Sequence, residues 1–492
     1  MYDPEGTRLP IKVDSSTNGE TLPIPLKPRH VAALQAAHQA ATEASRRLAM
    51  NRRNFLVSAC GVASTLLAFN KANAALGVTG GFYDVPEAAG LDGELATAVF
   101  TKKHFIFDVQ THHFNPPSAW GRDEKWSKMV PIMGKNAGCL GSIQHDDSSY
   151  FSCFTSDRYL KDIFLDSDTD ITVLSFVPST AETMPLSMEG ASMTREAAAA
   201  LRRSHRVLLH GRIIPTLAED LHGFQEQRER WNVVAAKTYT QFYDRARSYW
   251  LDDHRVMDPF VAMLQKSGID KICIHKGQTF PAMIANPDSV DFASCRDVGP
   301  AARMYRNMKF IIYHSGYESD VIEMAFDPKS DRRGTDSLVR SLLRAGIGPG
   351  ENVYAEIGAT WRYLMKDPDQ ASHLLGKLFK YVGEDNILWG TDCVIFGSPQ
   401  DQIQAFQSFQ ISTEFQDKYG YPAITDRIRA KIFGLNAARI YGISDQQFRK
   451  VIDKRPDAIE KARALYADQA DPSFASYGPR NRAEFIELAR LT

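Results

Sequence analysis

Between residues 104 and 394 the chain repeats one local pattern eight times, a short apolar run followed by a longer helix-compatible segment. The runs are His104–His112, Ile171–Pro178, Gly211–Leu217, Val233–Thr240, Lys271–Gly277, Lys309–Gly316, Asn352–Thr360 and Asn386–Val394. Few tight hairpin turns separate them, so neighbouring runs pair in parallel through helical crossovers. Eight such units in about 290 residues predict an α/β fold, a (β/α)8 TIM barrel. An open doubly wound sheet is the alternative, and it needs a Gly-rich phosphate turn after its first strand. The turn here, Thr111-His112-His113-Phe114-Asn115-Pro116-Pro117, contains no glycine.

A barrel carries its chemistry at the C-terminal ends of its strands. The first run, Phe105-Ile106-Phe107-Asp108-Val109-Gln110-Thr111-His112, places Asp108, Gln110 and His112 on one face by two-residue alternation. The fifth run ends in His275, the sixth in His314 and the eighth in Asp392. A lone histidine at a strand end is usually a packed one. Three histidines and an aspartate at the same end of four strands converge on one mouth, which suits a divalent metal with an open position for water. His113 faces away from His112 and reads as structural. Lys237 on the fourth run reads as substrate-facing or structural, Arg296-Asp297 as a loop pair able to meet an anion, and Glu318 as a loop cap or partner of a ligand.

These residues resemble the amidohydrolase superfamily, in particular the amidohydrolase-related branch that includes aminocarboxymuconate-semialdehyde decarboxylase and the resorcylate-type decarboxylases. The branch's strand-one pattern, Asp-x-His-x-His-x-x-Pro, stands here as Asp108-Val-Gln110-Thr-His112-His-Phe-Asn-Pro116. His275, His314 and Gly390-Thr391-Asp392 match the strand-five, strand-six and strand-eight signatures. Lys431-Ile-Phe-Gly-Leu-Asn436-Ala-Ala-Arg-Ile-Tyr441-Gly442 resembles the closing helix. The resemblance implies a metal-dependent enzyme acting on a small molecule. Gln110 departs from the pattern, because a glutamine offers only a neutral carbonyl oxygen. His112, His275 and Asp392 are then the expected ligands, with Gln110 as a weak fourth, and zinc (or manganese) as the ion. Asp392 would take the proton of the attacking water and His314 would act on the substrate oxygen as hydrogen-bond partner or general acid–base. This serves a hydrolase of an amide, lactone or ester. The same parts serve a decarboxylase of an aromatic or muconate-type acid, and Gln110 keeps open a ligand-binding barrel without turnover.

The barrel is expected over residues 104–443. Ser118 to Asp170, a long insertion after the first strand, is expected to lid the mouth, and residues 444–492 to form a helical extension or an oligomer contact. At the other end, Arg52-Arg53-Asn-Phe55-Leu56 precedes an apolar run to Phe69 and the small-residue motif Ala72-Asn-Ala74. This resembles a twin-arginine signal over residues 50–74, with 1–49 as an unstructured or mis-annotated extension. It predicts export to the periplasm, a mature protein that begins near Ala75 and no stable membrane anchor, and a cytoplasmic protein if the signal reading fails. A net charge of −1 gives no global field for nucleic acid. Six cysteines in 492 residues, without CxxC spacing, make neither a zinc ribbon nor a disulfide framework.

Overall fold

The computed structural model describes residues 8–18, 21–114, 154–177, 179–202, 206–242, 245–279, 287–393, 395–444, 446 and 481–483. Most of the expected lid (115–153) and nearly all of the C-terminal extension lie outside the described residues.

The eight strands are Phe107–Thr111, Ile171–Leu174, Val207–Arg212, Ala235–Tyr239, Lys271–His275, Lys309–Tyr313, Val353–Glu356 and Ile387–Leu388. They pair in sequence order and in parallel throughout. The ring closes where the Val109 amide donates to Trp389 O at 3.0 Å, the Asp392 amide to Gln110 O at 2.9 Å and the His112 amide to Cys393 O at 2.6 Å. The third strand begins earlier than the expected Gly211. Ile213-Ile214-Pro215 belongs to the loop that follows, since proline has no N–H to continue a ladder.

Both faces of each strand are buried, which is why the runs read as nearly continuous apolar sequence. In the fifth and sixth strands Ile272, Ile274, Phe310 and Ile312 face the helical layer. Cys273, Ile311 and Tyr313 alternate with them into the barrel. The closing helix Asn436–Tyr441 stoppers the interior at the strands' N-terminal end, with Tyr441 packed on Phe107 and Asn436 Nδ2 donating to Ile387 O at 2.9 Å. The opposite end is left to polar groups.

The sequence reading sets residues 1–74 apart from the fold, yet their described part is packed into it. Pro28–Arg47 is a helix rather than unstructured chain, and it lies against the helix Ala59–Ala75. Ala33, Ala37, Ala41 and Ala44 recur every three or four residues and are buried, a small-residue stripe that lets two helices approach closely. Phe55, Leu66 and Phe69 join the hydrophobic core that also holds Trp389 and Phe406 of the barrel. A two-stranded antiparallel ribbon, Gly81–Tyr83 with Phe409–Ile411, ties this layer to the segment after the eighth strand. Ahead of the helices, Leu9, Ile11 and Val13 are buried in the same core. No helix among the described residues is long and apolar enough to cross a membrane. Cys60, Cys273, Cys295 and Cys393 are buried free thiols.

Candidate active site

The site is built around Asp392. Its backbone is left-handed (φ 59°), an uncommon state for a residue other than glycine. The turn is held by Asp108, which accepts hydrogen bonds from the Thr391 hydroxyl and amide and from the Gln110 amide. Gly390 is required here, because a Cβ would collide with the Glu356 carboxylate. The Asp392 carboxylate then meets three side chains. Oδ1 accepts from Gln110 Nε2 at 3.0 Å and lies 3.2 Å from His112 Nε2, while Oδ2 accepts from Asn18 Nδ2 at 2.6 Å. Burial pushes this carboxyl upward, but the His112 contact, the neighbouring His314 and the Asn18 amide hold it well below the usual carboxylate range.

A register shift between Asp108 and Thr111 decides which side chains of the first strand arrive. Such irregularities re-aim side chains near functional sites. Gln110 and His112 both reach Asp392, as the alternation predicts. Asp108 instead supports the Thr391 turn from behind, and burial raises its pKa to about 7.

Each of the three histidines makes a ring contact with a backbone carbonyl. The pairs are His112 Nδ1 with Ser175 O at 3.2 Å, His314 Nδ1 with Gly358 O at 2.7 Å and His275 Nε2 with Gln278 O at 2.6 Å. A ring that donates there turns its other nitrogen, with its lone pair, toward the site. His314 also has a left-handed backbone (φ 63°), pinned by its amide donating to Glu356 Oε2 at 3.1 Å. Its Nε2 lies 3.5 Å from Gln110 Nε2, and its ring meets that of His275 at 4.6 Å between centroids. Burial lowers the pKa of His314 to about 4 and that of His275 well below the ordinary histidine value, so both are neutral at pH 7. Lys237 sits among them with Nζ 3.7 Å from the centroid of the Tyr313 ring. Its charge helps keep the histidines unprotonated.

The remaining expected residues serve the scaffold. His113 contacts Thr194 Oγ1 at 2.9 Å and packs on Tyr159, away from Asp392. Asp297 pairs with buried Lys276 at 2.8 Å, and Arg296 stacks on Trp250, so neither is set out for an anion in the way their sequence suggests. Glu318 caps the Gly334 amide and pairs with Arg333.

A model of the amidohydrolase family matches residues 185–443, just over half of the chain. The chain belongs to that amidohydrolase family. No curated protein matches it. Among solved structures it is similar to a 5-carboxyvanillate decarboxylase from Sphingomonas paucimobilis, with 14% identity over 70% of this chain and 100% of that one and a TM-score of 0.42. A 2,6-dihydroxybenzoate decarboxylase gives 15% identity over 69% and 99% with a TM-score of 0.37, and a dihydropyrimidinase from Brevibacillus agri gives 10% over 70% and 72% with 0.33. None of these likenesses bears on the reaction.

Members of the amidohydrolase superfamily typically use a divalent metal, and the donor chemistry here fits one. The His112 Nε2–Asp392 Oδ1 contact joins two acceptors once Nδ1 donates to Ser175, so it needs a cation between them, a second ring proton or a metal ion. Gln110 Oε1 is buried and accepts no hydrogen bond among the described residues. The histidine–carbonyl contacts are those that commonly orient metal-ligating rings. Among the described residues, however, no three His, Cys, Asp or Glu side chains are gathered to share an ion. The structure brings His112, Gln110, Asp392 and His314 together and sets the His275 ring edge-to-face with that of His314.

Three groups of this amidohydrolase site escape sequence reading. Asn18 lies 374 residues from its partner in a segment with no barrel pattern. Glu356, whose pKa burial raises to about 8, ends the seventh strand in Val353-Tyr-Ala-Glu356, and that polar strand end is the signal that could have found it. His210 lies on the third strand beside Ser175 Oγ at 2.9 Å, hidden by the late start assigned to that strand.

Proposed function

We propose that the chain is a metal-dependent hydrolase of a small organic amide, lactone or ester. The observation that carries this reading is the gathering of Gln110, His112 and His314 around one buried carboxylate, Asp392, at the C-terminal end of the barrel. Donors for a zinc or manganese ion would be His112, His275, Asp392 and the carbonyl of Gln110. When bound, such an ion supplies Lewis acidity toward water and the substrate carbonyl.

The chain's own groups do the rest. Asp392 takes a proton from the attacking water as the C–O bond forms. The proton then passes from Asp392 to the leaving nitrogen or oxygen as the scissile bond breaks. His314 is neutral, its ring is fixed by Gly358, and its Nε2 would act on the substrate oxygen.

Decarboxylation is the second reading, favoured by Lys237, a buried ammonium among the site histidines that would hold a substrate carboxylate. Screening purified protein against amides, lactones, esters and aromatic acids, with metal analysis after mild dialysis, tests both. Hydrolysis without carbon dioxide supports the first reading and carbon dioxide release the second. Neither turnover nor retained metal overturns both and leaves a binding barrel.

Export is a separate proposal that rests on Arg52 and Arg53. Since the helices around them share the barrel's core, the exported protein would keep them. An N-terminus near Ala75 on protein recovered outside the cytoplasm would contradict that retention.

A further inference from the structure

The segment Leu9–Asn18 runs along the mouth of the barrel and is anchored at several points. Lys12 is buried; its Nζ donates to Phe396 O and Ser398 O at 2.8 Å and lies 3.3 Å from Asp401 Oδ1. Its backbone amide donates to Asp401 Oδ2 at 3.0 Å. Asp14 accepts from Arg362 at 2.6 Å, and Thr17 Oγ1 lies 3.0 Å from Tyr363 Oη. Ile11 and Val13 are buried in the core. These partners lie in the segments that follow the seventh and eighth strands, in loop at Phe396 and Ser398 and in the helices Thr360–Leu364 and Gln400–Ser408. At the end of this arm Asn18, itself buried, donates to Asp392 Oδ2.

We propose that this arm is a working part of the active site and that Asn18 is a positioning residue for Asp392. An amide on Oδ2 fixes the rotation of the carboxylate about Cβ–Cγ. Oδ1 is then the oxygen presented to His112 and Gln110, and the one left to take up a metal ion or a proton. The depth of the anchoring argues for a permanent fitting rather than a removable plug. A buried lysine paired with Asp401 and two carbonyls is costly to pull out, because its partners would be left unpaired. The inference rests on the hydrolase reading for its kinetic test, but not for its metal or protease tests.

The experiment compares the full-length protein with Asn18→Ala and with Lys12→Met, which weakens the anchor without touching Asp392. Asn18→Ala is expected to lower kcat about tenfold or more with KM within about twofold, and to lose zinc about tenfold faster on dialysis, the scale of outer-shell changes. Its thermal midpoint should stay near wild type. Lys12→Met should show the same kinetic signature, and Asn18→Asp should not rescue it. An unchanged kcat and zinc off-rate in Asn18→Ala overturns the proposal, and a rise in kcat shows that the arm obstructs the site. Cleavage of the native chain within residues 9–18 by dilute protease, at the rate of an unfolded peptide, also overturns it. If wild type hydrolyses nothing in the screen, the hydrolase reading fails while zinc retention and protease resistance still decide the role of the arm.

Discussion

Two buried carboxylate clusters in this protein differ in the groups that answer their charge. Outside the barrel, Lys377 on the helix Pro368–Tyr381 pairs with Glu323 and with Asp336 of the helix Thr335–Ala345. Arg332 adds a bond to Asp336 at 3.0 Å, and Glu323 also accepts from the Thr335 amide. Lysine and arginine cations answer the carboxylates there, and Asp336 and Lys377 sit in regular helices. At the mouth, Asp392 is answered by two neutral amides and one imidazole, on a left-handed backbone beside the left-handed His314. Burial of charge alone therefore does not mark a functional site. What sets the mouth apart is the left-handed backbone of Asp392 and His314, which the surrounding fold must hold in place.

The largest expected effect tests the mouth. Asp392→Asn keeps the side chain's shape and tolerates a left-handed backbone, so the fold should survive. The activity should fall about 10²–10⁴-fold, because an amide cannot take the proton. Steady-state kinetics beside a melting curve checks this, and a collapsed melting curve would place Asp392 with the structural cluster.

Lys377→Met should do the reverse. It strands two buried carboxylates, at a cost of about 3–5 kcal/mol of stability. Urea unfolding reads that loss, while kcat per folded molecule should hold within about twofold.

The histidines give a third test. Burial lowers His113 and His314 to about 4 and pushes His210 and His275 well below the ordinary histidine value. The unfolded chain therefore binds protons that the native one refuses. Stability is full above the ordinary histidine pKa near 6.5 and falls as pH drops toward 4, by up to about 1.4 kcal/mol per pH unit for each histidine. Urea midpoints across that window should show a shallower slope in His314→Ala than in the wild type. Equal slopes in wild type and His314→Ala would mean that His314 is protonated in the native state.

The smallest expected effect separates ligand from bystander. Gln110→His should tighten zinc binding about tenfold if Gln110 faces the ion, as measured by competition with a chelator. Unchanged affinity removes Gln110 from the donor set.

The barrel was legible because period and burial agree. Strands such as Lys271-Ile-Cys-Ile-His275 are buried on both faces and end in one polar residue, so architecture and site appear in the same five letters. Gln110, His112, His314 and Asp392 stand out in the sequence for that reason, and the fold brings them together. The N-terminal layer was not, because an alanine-rich helix with a twin arginine carries the same pattern whether it crosses a translocon or packs on a barrel. Arg52 is in fact occupied, with Nη1 donating to His38 O at 3.0 Å. Asn18 was illegible for a different reason. A single polar residue in an irregular segment has no period, and only a contact across nearly the whole chain gives it a role.

That distance shapes how the molecule comes into being. Lys12 and Asp401 are 389 residues apart, so the arm emerges from the ribosome long before its docking site exists. Closing so long a loop gains nothing until the eighth strand is in place, and contacts of this range slow folding. On this ordering the chain completes its barrel first and its mouth last. A nascent chain that has not yet passed the eighth strand has no seat for Asn18.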